Sequence, residues 1–131
     1  MDRDKFEALV VKALEDLAPE FQSKLENVDI VIENYPTPGQ LRQARLRHPN
    51  QLLGLYEGVP RTKRGVSYGM VLPDRITVFQ KPIEAQCSSD KEITAAIRGV
   101  VRHEIAHHFG STEETLRRLE SRKGRGKNPT K

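Results

Sequence analysis

Residues 103–110 read His103-Glu104-Ile105-Ala106-His107-His108-Phe109-Gly110, and three of the chain's four histidines fall in the first six of these positions. The core of the run is H-E-x-x-H, a pattern whose chemistry needs a helix. At about 100° per residue, positions 103 and 107 lie about 40° apart and one turn along the axis, so both imidazoles can reach one ion. Neutral imidazole nitrogen suits zinc, and three protein ligands plus a water make a catalytic tetrahedral site. Glu104 points about 100° round from His103, off the ligand line but near a metal-bound water, where it can take a proton and later deliver it. His108 lies about 140° from His103 and reads as a packing or supporting residue rather than a ligand. The bland alternative is a pair of solvated histidines at a helix end.

The surrounding sequence supplies the helix. Ser89 or Asp90 can cap its start, and Gly110 stops it after Phe109. Ile93, Ile97 and Val101 form a stripe for core packing, while Ala96 and Gly99 leave room on the side of His103. Beyond Gly110 the chain can turn back, and Glu113 stands ten residues after His103, where the H-E-x-x-H-x-x-G-x-x-H pattern puts its third ligand. Glu113 is the expected third ligand, with Glu114 and Glu120 as alternatives. The same acids also suit the positive end of a short helix over residues 112–119. Metzincins proper are excluded, because their methionine turn lies downstream and the two methionines, Met1 and Met70, both lie upstream.

Towards the N-terminus, Phe6, Leu9, Val10, Ala13, Leu14 and Leu17 recur at helical spacing after a cap at Asp2 or Asp4, and Pro19 limits that helix. A helical turn is expected over Phe21–Leu25. Val28, Ile30 and Ile32 alternate as a half-buried strand, ended by a turn at residues 35–39 with two prolines and a glycine. Second and third strands are expected over residues 52–57 and 75–80, joined by a long loop bearing Arg61, Lys63 and Arg64. The order predicts an α+β fold, with helices packed on a small sheet.

A chain of 131 residues suits one domain, here expected over residues 1–121, followed by a disordered tail over 122–131. The net charge of +4 belongs to that end: residues 117–131 hold seven of the 22 Lys and Arg residues and one of the 18 acids. The body is slightly acidic, which argues against a nucleic-acid-binding surface anywhere but the tail. No apolar run is long enough for a bilayer span. The opening residues do not read as a signal peptide, and the single cysteine, Cys87, forms no internal disulfide, so a cytoplasmic location is expected. Cys87 itself reads as a small, partly buried residue and His48 as a loop histidine without a role. Tyr56 and Tyr68 are candidate hydrogen-bond donors to an oxyanion, or else packing residues.

The run 103–110, together with GLYEGVP at residues 54–60 and LPDRITVFQKPIE at residues 72–84, resembles the small bacterial zincin-like metallopeptidase family, a minimal zincin fold. The resemblance covers roughly residues 3–119, with three separated motifs in the family's order. It implies a small mixed sheet packed with an N-terminal helix and an active-site helix. It further implies that His103 and His107 bind the metal and Glu104 is the catalytic carboxylate. The family's usual H-E-x-x-H-x-x-G-x-x-D aspartate falls on Glu113, one methylene longer. The expectation is a zinc metallopeptidase acting on peptides or flexible protein segments. The rival expectation is a non-catalytic zinc-containing module whose basic tail contacts nucleic acid or acidic partners.

Overall fold

The apolar stripe of the first helix becomes one wall of the core. In the computed structural model, which describes residues 1–58 and 73–109, α1 spans Arg3–Glu15 and buries Phe6, Val10 and Ala13. Of the two candidate caps it is Asp2 that serves, its carboxylate accepting from the Lys5 N–H at 2.9 Å. Helix α2, Pro19–Lys24, begins earlier than the expected turn, because Pro19 fits a first-turn position that needs no N–H. Strand β1 is Val28–Glu33. Strand β2, Gly54–Glu57, is shorter than expected, and β3, Asp74–Phe79, is shifted by one residue.

Two short helices escape the sequence reading. The turn expected at residues 35–39 instead opens α3, Pro38–Gln43, with a capping box in which Thr37 and Gln40 satisfy each other's backbone N–H groups. Helix α4, Gln80–Gln86, starts where the third strand was expected to finish; Pro82 lies in its first turn, where a missing N–H costs nothing. Its first residue, Gln80, is buried but fully engaged, accepting from Arg3 at 2.7 Å and donating to Glu84 and the Met1 carbonyl. His48 has a structural role after all: its Nδ1 accepts from the Asn50 N–H and caps a 3-10 turn at Pro49–Gln51.

The sheet order is β1-β3-β2, with β1 parallel and β2 antiparallel to β3. Ile76 pairs with Tyr56, and Val78 with Gly54. Ile76 and Val78 belong to the larger core with α1, α2 and the last helix, α5 (Asp90–Phe109). Phe79, on the other side, joins Leu41 and Leu52 in a second, smaller cluster. The α+β architecture is as expected, with α5 laid against β2, β3 and α1. At Gly54 a Cβ would collide with Val100 Cγ1 of α5, so glycine is what lets the edge strand approach the helix this closely. The expected helix at 112–119, the basic tail and the loop cluster Arg61, Lys63 and Arg64 lie outside the described residues. Among the described residues no helix is long and apolar enough to cross a membrane.

Candidate metal centre

Helix α5 is fixed at its start and sorted along its length. The Ser89 hydroxyl accepts from the Glu92 N–H at 3.1 Å, and the Glu92 carboxylate accepts in return from the Ser88 N–H at 2.8 Å. Asp90 and Glu92 add negative charge at the positive end of the helix dipole. Ile93, Ile97, Val101 and Ile105 are buried in the core, as the stripe implies. Ala96, Gly99, Val100, His103, Glu104 and His107 instead line a cavity of about 780 Å³.

His103 and His107 are exposed, and their ring centroids stand 4.2 Å apart with planes tilted by 55°. Glu104 is half-buried beside them. Donor atoms of the three residues all lie within 4.8 Å of one another, the group among the described residues able to hold a metal ion. Two imidazoles at this spacing are nitrogen donors that zinc accepts, and the Glu104 carboxylate stands close enough to meet a water on the same ion. The chemistry of the residues therefore fits the metal that the sequence pattern calls for.

The carboxylate is held from outside the helix. Glu104 Oε1 accepts from the backbone N–H of Tyr56 on β2 at 2.9 Å. Burial pushes the Glu104 carboxyl above its ordinary pKa; the Tyr56 hydrogen bond and the neighbouring imidazoles oppose the rise without cancelling it. A carboxylate whose pKa is raised is a better proton acceptor than an ordinary one.

Not every candidate enters the site. The Tyr56 hydroxyl is spent on Asp74, to which it donates at 2.8 Å, so it is a structural residue here rather than an oxyanion donor. His108 is not part of the metal-capable group and stacks on Tyr56, as a supporting residue would. Cys87 is partly exposed, and burial together with the Glu92 charge pushes its thiol up, away from nucleophilic use. Glu113, Glu114, Glu120 and Tyr68 lie outside the described residues. Two contributors were missed. The Tyr56 backbone donor leaves no mark in side-chain patterns, and in the sequence Asp74 is merely the residue before the expected third strand.

No curated protein matches the chain. A family model described as zincin-like metallopeptidase matches residues 25–123. The match takes in the three described strands and the whole of α5, and it covers most of the sequence. With the His103–Glu104–His107 cluster on its helix, the chain belongs to the zincin-like metallopeptidase family.

Proposed function

We propose that this protein is a zinc-dependent peptidase that cleaves exposed, flexible peptide segments, with His103 and His107 holding the metal and Glu104 moving the proton. The observation that carries the reading is the placement of Glu104. Its carboxylate lies within 4.8 Å of a nitrogen of each imidazole, is half-buried, and has one oxygen tied to β2. A zinc ion held by His103 and His107 would supply Lewis acidity to a carbonyl oxygen and to a bound water. Glu104, with Oε1 engaged by Tyr56, takes a proton on its other oxygen and returns it to the leaving amine. A site built only for structure would gain nothing from a carboxylate held in this way. The lone cysteine sets no demand for an oxidising compartment, which supports a cytoplasmic setting.

The cavity beside the cluster supports a preference among substrates. Leu46, Leu52, Leu55, Ala96 and Val100 line it, and among the described residues its charge-bearing lining is the cluster itself. A neutral, bulky apolar side chain next to the scissile bond fits; a charged one would lose its hydration there. The test is digestion of a mixed library of unstructured peptides by the zinc-loaded protein, with cleavage sites read by mass spectrometry. Leu, Met or Phe should be enriched beside the cut. Among the described residues, a Cβ at Gly99 would meet only the end of the flexible Arg102 side chain, in ordinary contact at 3.8 Å. Gly99→Leu should therefore fold, retain zinc, and shift cleavage by about tenfold towards small residues. Cleavage without side-chain preference would remove the cavity from the account.

Glu113 is proposed as the third ligand, on its spacing from His103. Glu113→Ala should weaken zinc affinity by at least about tenfold, Glu113→Asp should preserve it, and Glu114→Ala should change little. Competition titration against a chromogenic chelator measures all three. Equal loss in the Glu113 and Glu114 variants would reject the assignment.

A further inference from the structure

Three side chains from three elements meet at the end of the edge strand. The Tyr56 hydroxyl donates to Asp74 Oδ2 at 2.8 Å. The His108 ring stacks on the Tyr56 ring, centroids 3.9 Å apart and planes 11° from parallel. His108 Nε2 lies 3.6 Å from the same Asp74 oxygen. Tyr56 belongs to β2, Asp74 is the first residue of β3, and His108 sits in the last turn of α5.

The register explains the meeting. Tyr56 pairs with Ile76, so Asp74, two residues away along β3, is its diagonal neighbour on the same face of the sheet. The preceding same-face residue of β2, Gly54, is the one that approaches Val100. The backbone of Tyr56 meanwhile donates to Glu104 Oε1. One residue thus joins the cluster through its phenol and contacts the proton-transferring carboxylate through its main chain.

We propose that Tyr56, Asp74 and His108 form a clamp that positions the Glu104 carboxylate by fixing the Tyr56 N–H against α5. The inference rests on the reading of Glu104 as the proton-transferring group. Strand β2 has four residues and, among the described residues, lies at the sheet edge and pairs with β3 alone. Strand ends of this kind fray, and Tyr56 is one residue from the end. The clamp ties that end both to β3 and to the helix turn that carries His107. The carboxylate then has one oxygen fixed and the other left for the proton. Such placement matters, because a shift of about 1 Å at a reacting group can cost about a hundredfold in rate. His108, adjacent to a proposed ligand, acts here as a stacking surface and a partner of Asp74. All three are positioning residues.

The test uses the full chain and two independent readouts. Tyr56→Phe keeps the ring and its stacking and removes only the hydroxyl. Asp74→Ala removes the acceptor, and Asp74→Asn restores one of nearly the same shape. In metal-free protein, exchange of the Tyr56 amide hydrogen, followed by NMR, should quicken by at least about tenfold in Tyr56→Phe and Asp74→Ala, and much less in Asp74→Asn. In zinc-loaded protein the first two variants should lose about five- to twentyfold in kcat with KM and zinc content unchanged, and Asp74→Asn should recover most of it. Unchanged amide exchange overturns the clamp, and so does faster exchange with undiminished kcat. If the unmodified protein cleaves no peptide, the peptidase reading fails on its own, and the exchange result still decides whether the clamp holds the N–H.

Discussion

Glu104→Gln should leave zinc content at the level of the unmodified protein and reduce peptide hydrolysis by at least about a hundredfold. Glutamine keeps the size of the side chain and an oxygen able to accept from the Tyr56 N–H, so the 2.9 Å contact survives. What disappears is the capacity to take a proton. Steady-state kinetics with metal analysis of the same sample checks this, and undiminished hydrolysis would remove Glu104 from the reaction. The same variant carries a signature in stability. Burial raises the Glu104 pKa in the fold, so holding the ionised form there destabilises the metal-free protein. That cost is present above the raised pKa, fades as pH falls through it, and is gone below the ordinary carboxylate range. Metal-free Glu104→Gln should therefore melt above the unmodified protein at about pH 7, and the two curves should converge towards about pH 4. A gap that widens in acid would contradict the burial argument.

Removing either imidazole should have the largest effect on the metal itself. His103→Ala and His107→Ala each take away one of two exposed nitrogens on the same face of α5 and leave the buried face untouched. Each variant should fold with unchanged helix content, and stoichiometric zinc should fall to background after dialysis, because a site short of one ligand loses most of its affinity. Elemental analysis beside circular dichroism separates the two effects. Full zinc retention by both variants would place the metal elsewhere in the chain.

The site was far more legible in the sequence than the sheet edge that supports it. His103, Glu104 and His107 announce themselves because helical geometry turns a spacing of four into a shared face. The core stripe Ile93, Ile97, Val101 follows from the same periodicity, and the start of that helix is written in its Ser89 cap. The two missed helices show where local pattern runs out. At residues 38–43 a Pro-Gly pair reads as a turn, yet Thr37 and Gln40 close a capping box around it. At residues 80–86 a β-branched run leads straight into helix, with Phe79 as the boundary and Pro82 tolerated in the first turn. The Tyr56–Asp74 contact was hidden for a different reason. It depends on the register between strands 18 residues apart, which no single segment encodes. Likewise nothing within the expected strand 52–57 marks Gly54, whose importance is the approach of Val100 from a helix far along the chain.

The central claim is that a metal held by the α5 histidines makes this chain a peptidase, and one measurement addresses it directly. Purified full-length protein is incubated with the mixed peptide library in three states: as loaded with zinc, after removal of the metal by a chelator, and after zinc is returned. The account predicts about one zinc per chain, cleavage in the first state, none in the second, and recovery in the third. Stoichiometric zinc without cleavage of any peptide would contradict it, and would favour a zinc-containing binding module that acts through its basic tail.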